Sequence, residues 1–196
     1  LACAEQISRR YQGSEERSRT IGKIALKIFE STKKLHGMGN RERLLLQVAG
    51  ILHDIGTFVA TTGHHKHSQY LVENSEIFGL RKNDLTLVGN VIRYHRRALP
   101  GPQHPEYMAL TRVERVQVCK LSAILRVADA LDRSHRQIAR RVSFSREGDE
   151  LVVTIAGPGD ISLERTVMPD KADLLENVFG LKVSLRQAVG GAGHGV

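Results

Sequence analysis

The sequence has no tryptophan, and aromatic residues make up only 5% of its 196 positions. Surfaces on which single-stranded nucleic acid stacks need several exposed rings, so that mode of binding is disfavoured at the outset. Cysteine is nearly absent, with Cys3 and Cys119 the whole complement. A disulfide framework is therefore excluded, and the composition fits a reducing compartment, the cytoplasm being the expectation. No apolar run approaches the ~20 residues of a membrane-spanning helix. No basic stretch followed by an apolar one marks a secretory leader. Of only five prolines, three fall between positions 98 and 107, which reads as a loop. The chain opens on Leu1 within a helix-like pattern, as expected of a piece of a longer polypeptide.

What is present is a globular composition, 41% apolar and 26% charged, which rules out wholesale disorder. The charge is uneven. The chain carries 29 Lys+Arg against 21 Asp+Glu, a net charge of +8. Residues 81–141 hold 13 basic and 5 acidic positions, so the entire excess sits in that block. Its dense points are Arg93, Arg96 and Arg97, then Arg126, Arg133, Arg136, Arg140 and Arg141. A charge block without periodicity can be a merely solvated face. The planar guanidinium fork nonetheless matches phosphate oxygens, and clustered basic surface steers and holds polyanions.

Hydrophobic spacing divides the chain into a helical part and a mixed part. A helix is expected over 14–36, with Ser14 as its cap and Ile21, Ile24, Ala25 and Ile28 on one face. A second is expected from Asn40 to Asp54, broken by Gly56. A loop over 57–66, a short helix from His67 to Asn74 and a helix from Asn83 to near His95 follow. Thr111 and Glu114 form a capping box that starts a long helix to about His135. From residue 142 the apolar positions alternate across Gly148-Asp149, a hairpin signal. A third strand over 161–167, a short helix from Pro169 to Phe179 and a last strand at 181–185 are expected after it. The fold class is thus mainly α, a helical domain over 1–137 with a small α/β appendage over 138–187. A flexible tail over 188–196 is expected to end the chain.

The chemistry-bearing residues concentrate at a few places. His53 and Asp54 end an apolar helix, where a carboxylate is costly unless paired or metal-bound. Asp129 lies on the core side of the long later helix. Imidazole and carboxylates together suit Mn, Fe, Zn or Mg. His64, His65 and His67 crowd one polar segment and read as metal ligands or phosphate donors. His95 adjoins Arg93, Arg96 and Arg97, a group that reads as phosphate-contacting. His36, His104 and His194 carry no pattern.

An apolar helix ending in His-Asp, with a distant Asp on a later helix, resembles the HD-domain phosphohydrolases. Longer strings narrow the resemblance: Ala49-Gly50-Ile51-Leu52-His53-Asp54-Ile55-Gly56, Gly63-His64-His65-Lys66-His67-Ser68-Gln69-Tyr70, Val91-Ile92-Arg93-Tyr94-His95-Arg96-Arg97-Ala98 and Leu125-Arg126-Val127-Ala128-Asp129-Ala130-Leu131. In that order they are similar to the C-terminal half of the exopolyphosphatase/guanosine pentaphosphate phosphatase (Ppx/GppA) family, over about residues 14–187.

The resemblance implies an HD-type helical domain that binds inorganic polyphosphate or guanosine pentaphosphate and supports homodimer assembly. It also implies that hydrolysis belongs to an actin-like N-terminal half of the same polypeptide. The superfamily's metal ligands map to His53, Asp54 and Asp129, with Mg or Mn as the implied ion of the whole enzyme. The position of the first ligand histidine holds Arg17. A guanidinium cannot ligate a metal, so Arg17 is expected to pair with Asp54 or Asp129. Phosphate contacts are expected from His64, His65, His67, Arg93, His95, Arg96, Arg97 and Arg126. Two other readings stay open: a metal-dependent HD phosphohydrolase acting on a nucleotide, and a nucleic-acid-binding module, which charge alone motivates.

Overall fold

The structure is a computed structural model, and it describes residues 1–134, 138 and 141–188. Helices α1 (Ala2–Arg10), α2 (Glu15–Ser31), α3 (Lys33–His36) and α4 (Asn40–Leu52) come first. A 3-10 turn (Ile55–Phe58) leads to α5 (His64–Glu73), α6 (Lys82–Arg93), α7 (Pro105–Met108) and α8 (Arg112–Leu131). Strands β1 (Val142–Glu147) and β2 (Glu150–Ala156), helix α9 (Ser162–Phe179) and strand β3 (Lys182–Ala188) complete the described chain. Among the described residues no helix is long and apolar enough to cross a membrane. The fold is mainly α with a small three-stranded sheet.

The helix starts follow from their caps. The Ser14 hydroxyl accepts from the Arg17 amide at 3.3 Å. At the head of α8 the Thr111 hydroxyl accepts from the Glu114 amide at 3.3 Å, and the Glu114 carboxylate accepts from the Thr111 amide at 2.8 Å. Each bond satisfies a donor that a helix start leaves orphaned. Their apolar faces merge into one core, in which Ile21, Ile24, Ile28 and Phe29 of α2 meet Leu46 and Leu52 of α4 and Leu121 and Ile124 of α8. Each such side chain contributes about 1.5–3 kcal/mol by leaving water. The same core takes in Leu151, Val153 and Ile155 of β2 and Met168 and Leu175 of α9.

Two glycines set the approach of elements that matter for the site. A Cβ on Gly50 of α4 would come within 2.9 Å of the Gly22 Cα in α2, so the pair lets these helices touch backbone to backbone. A Cβ on Gly56 would overlap the His64 carbonyl oxygen and the Ser68 amide nitrogen. The Gly56 amide also donates to the Ser68 hydroxyl at 2.8 Å. Glycine there lets the start of α5 press against the turn that follows His53-Asp54.

Several elements differ from the sequence expectation. The 57–66 segment is not all loop: it is partly the 3-10 turn, and α5 begins at His64 rather than His67. The polar histidines that suggested a loop instead form the first turn of that helix. The proline-rich stretch contains the short α7, with Pro105 at its start, where a missing N–H costs nothing. The largest correction concerns 161–179. This segment is one helix, with no strand over 161–167 and with Pro169 inside it rather than at its start. The sheet supplies the reason. Strands β1 and β2 pair antiparallel, as the hairpin signal implied, but β2 and β3 pair parallel. Parallel neighbours need a long crossover, and α9 is that crossover. The long helix ends at Leu131, earlier than the expected end near His135, and the residues His135, Arg136, Arg140 and His194 and the tail over 189–196 lie outside the described residues.

His36, which carried no sequence pattern, is a buried structural joint. Its Nε2 donates to the Phe29 carbonyl at 2.8 Å, and its Nδ1 accepts from the Met38 amide at 2.9 Å. That pattern requires the neutral ring. Burial pushes its pKa below the ordinary histidine value. A neutral ring held this way stabilises fully above the unfolded value near 6.5, and its contribution is lost as pH falls from there through the folded value. The melting-temperature difference between wild type and His36→Gln should therefore shrink as pH is lowered from 7 to 5. Gly56→Ala should cost ~3 kcal/mol and lower the melting temperature by roughly 10 °C in a thermal scan.

Candidate functional site

The site is organised around Arg17, in the first turn of α2. The Gly22–Gly50 approach brings that turn against the end of α4, where His53 is fully buried. The His53 Nδ1–H donates to the Gly50 carbonyl at 2.9 Å, which leaves Nε2 as an acceptor for Arg17 Nη1 at 3.0 Å. The same Nη1 donates to Asp54 Oδ2, and Nη2 donates to Asp129 Oδ1 at 2.7 Å. The other Asp129 oxygen accepts from Lys171 Nζ at 2.8 Å. Lys171, on α9, also donates to the His95 carbonyl at 2.8 Å. Two cations and two carboxylates thus form a closed network that joins α2, the end of α4, α8 and α9.

Protonation follows from these contacts. Burial, reinforced by the Arg17 charge, lowers His53 to about 3, so the ring is neutral and can accept. Burial alone would raise the Asp129 carboxyl. The charges of Lys171 and Arg17 overcome that and hold it well below the usual carboxylate range.

Above this network lies a cleft of about 930 Å³. Its floor includes Arg17, Asp54, His64, His95, Asp129 and Lys171. Its rim carries Arg96 and Arg97, just beyond α6, and Arg133, just beyond α8. Among the described residues no ion pair engages any of these three guanidiniums.

The sequence candidates divide. His64, His95, Arg96, Arg97, Arg126, Asp54 and Asp129 line the cleft, with His53 buried behind them. His65, His67 and Arg93 do not line it. His67 turns its Cβ toward Gly56, and His65, whose buried Nδ1 has no hydrogen-bond partner among the described residues, is pushed down to about 4 by burial and by Arg93. Arg126 faces the cleft but has nothing left to offer a ligand. Its five N–H groups donate to the carbonyls of Lys171, Tyr94, Arg96 and Asp170 and to the Asp173 carboxylate. It ties α8 to α9 and to the end of α6. Lys171, Asp170 and Asp173 escaped the sequence reading, because their segment was divided into a strand and a short helix. The one available signal was the apolar spacing of Met168, Ala172 and Leu175, which is helical.

The three residues that match the superfamily's metal ligands do not fit a metal. His53 Nε2, Asp54 Oδ2 and Asp129 Oδ1 all face the Arg17 guanidinium, whose charge stands where a cation would be held. Removing that charge leaves the buried Asp129 with Lys171 alone to answer it and takes the arginine partner from the half-buried Asp54. Arg17→Met should therefore cost about 3–5 kcal/mol in denaturant unfolding. Arg17→Lys, with a charge but no fork, should cost less than Arg17→Met.

Comparison with known proteins places this arrangement. Residues 1–165 match the family described as Ppx/GppA phosphatase, domain III. The chain is 28% identical over 153 residues to the guanosine-5'-triphosphate,3'-diphosphate pyrophosphatase of Vibrio vulnificus (strain YJ016), covering 76% of this chain and 29% of that protein. It is 27% identical over 153 residues, with the same coverage of 76% and 29%, to the protein of that name from Vibrio campbellii (strain ATCC BAA-1116). A Vibrio cholerae (strain ATCC 39315) protein of that name is 30% identical over 117 residues, 58% of this chain and 22% of that protein. The chain spans less than a third of the length of these curated relatives. The family match covers α1 to α8, the sheet hairpin and the start of α9 in one run, and the chain belongs to the Ppx/GppA phosphatase family, as its domain III.

Proposed function

We propose that this chain is the phosphate-chain-binding portion of an exopolyphosphatase/guanosine pentaphosphate phosphohydrolase. In this reading it holds inorganic polyphosphate or guanosine pentaphosphate in the cleft. Hydrolysis is carried out by an actin-like N-terminal half of the same polypeptide. The observation that carries the reading is the division of charge in the cleft. On the floor, Arg17 and Lys171 are matched by Asp54 and Asp129, and Arg126 is consumed by protein groups. At the rim Arg96, Arg97 and Arg133 have no such partners among the described residues, which leaves their forks available to an anion. Phosphate oxygens are the acceptors that guanidinium forks match best. The name of the Vibrio relatives, guanosine-5'-triphosphate,3'-diphosphate pyrophosphatase, favours guanosine pentaphosphate among the candidate substrates.

Binding of labelled polyphosphate, followed by fluorescence anisotropy across a salt series, tests this. Affinity should fall steeply with salt, and Arg96→Ala, Arg97→Ala and Arg133→Ala should each weaken it about ten-fold. Arg93→Ala, outside the cleft, should leave it unchanged. Absence of salt-sensitive polyphosphate binding would sink the proposal. The same reading has the chain assemble as a homodimer, so sedimentation equilibrium should return about twice the 21.8 kDa chain mass.

A further inference from the structure

Asp54 has a second oxygen that the Arg17 network does not use. Oδ1 faces His64 Nε2 at 3.3 Å and His95 Nε2 at 3.8 Å. One ligand atom from each of the three residues lies within 4.8 Å of the other two. The backbone decides which ring nitrogens carry protons. His64 Nδ1 lies 3.1 Å from the Thr61 carbonyl, and His95 Nδ1 lies 2.7 Å from the Ile92 carbonyl. A carbonyl only accepts, so each Nδ1 bears the hydrogen and each neutral ring presents a bare Nε2 lone pair. Burial keeps both rings below the ordinary histidine pKa, which favours that neutral form.

Three acceptors therefore converge on one point, and among the described residues no hydrogen-bond donor is directed at it. The contrast lies one ångström-scale step away. His53 Nε2 and Asp54 Oδ2 are also two acceptors, 3.1 Å apart, but Arg17 donates to both. Among the described residues nothing comparable bridges Oδ1 and the other two imidazoles. Lone pairs packed this closely repel one another unless a positive centre lies between them.

We propose that Asp54 Oδ1, His64 Nε2 and His95 Nε2 hold one divalent transition-metal ion, beside the Arg17 network rather than within it. Ligands at ~2.1 Å from a common ion stand roughly 3.0–3.4 Å apart, so the two imidazole nitrogens, at 3.3 and 3.8 Å from Asp54 Oδ1 and within 4.8 Å of each other, need side-chain adjustments of only about 1–2 Å to close on one ion. An Nδ1–H bond to a backbone carbonyl is the support that metal-binding histidines characteristically have, since it fixes ring and tautomer. Two imidazoles and one carboxylate suit Mn(II), Fe(II) or Zn(II) and disfavour Mg(II) and Ca(II), which take oxygen ligands. His53 and Asp129 are not ligands in this assignment. Because Arg17, Lys171, Asp54 and Asp129 already balance one another, the ion adds its full charge to the cleft and leaves coordination positions facing it. Those positions fit water or a phosphate oxygen. The nearby guanidinium opposes the ion, so the site binds more weakly than a closed structural zinc site.

The test uses the chain stripped with chelator, then dialysed against Mn(II) or Zn(II) alone, with bound metal counted and Mn(II) examined by pulsed electron paramagnetic resonance. One ion per chain is expected, with imidazole nitrogen coupling in the spectrum. His64→Ala, at a cleft-facing helix start, should keep its circular dichroism and lose at least ~10-fold in metal affinity. His65→Ala, outside the cleft, should bind as wild type does. No stoichiometric ion, no imidazole coupling, or undiminished binding by His64→Ala would each overturn the assignment. The inference does not rest on the phosphate reading. Metal is measured without phosphate, and polyphosphate binding is measured in chelator, so each can fail while the other stands.

Discussion

The rest of the site depends on a single guanidinium. Arg17 reaches His53, Asp54 and Asp129 at once, and these come from the end of α4 and the last turn of α8. Through Asp129 the connection passes to Lys171 on α9. A fork with five fixed donors can hold three acceptors in one plane, which no lysine or histidine can do. The buried His53 stays neutral because it is buried and because Arg17 stands beside it. Asp129 stays ionised because Arg17 and Lys171 outweigh the cost of its burial. A permanent cation thus takes the place that the superfamily resemblance assigns to a metal.

Charge in the cleft is layered as a result. At the floor the cations are already answered by carboxylates and carbonyls, so they position elements rather than attract ligands. Arg126 is the clearest instance, a fully buried arginine whose donors all bind protein. Among the described residues of the cleft, the guanidiniums without ion-pair partners are those at the rim. The sequence-level excess of +8 is therefore a poor measure of what a ligand would meet. Most of what matters is which charges remain uncancelled after folding, and that is set by α9, whose Lys171 and Asp173 engage Asp129 and Arg126.

Legibility along the chain varied for physical reasons. Helices α2 and α8 are readable because a capping residue and 3.6-residue apolar spacing agree, and α4 and α6 from their apolar spacing. The β1–β2 hairpin was readable from its alternation and its Gly148-Asp149 turn. The start of α5 was not, because His64, His65, Lys66 and His67 give no apolar stripe and its position is dictated by close contact with Gly56. Helix α9 is not legible as one element because proline is ordinarily a helix breaker, whereas Pro169 lies inside it. His36 showed no pattern at all, since its role depends on Phe29 and Met38 meeting it in space.

By itself the sequence determined the helical class, the hairpin, the membership of His53, Asp54 and Asp129 in one chemical group, and the presence of an arginine where a metal-ligand histidine is expected. The helical class and the hairpin are properties of local spacing and residue type, while the grouping of His53, Asp54 and Asp129 and the significance of Arg17 are what the family resemblance implies; none of these needs a long-range contact to be known. Only the tertiary structure decided that Arg17 bonds all three groups together, that Arg126 is spent on the protein, and that His64 and His95 converge on the free oxygen of Asp54. Each of those facts requires side chains from distant helices to share one small, largely buried volume. There the direction of a lone pair, and not the identity of a residue, settles what the group can do.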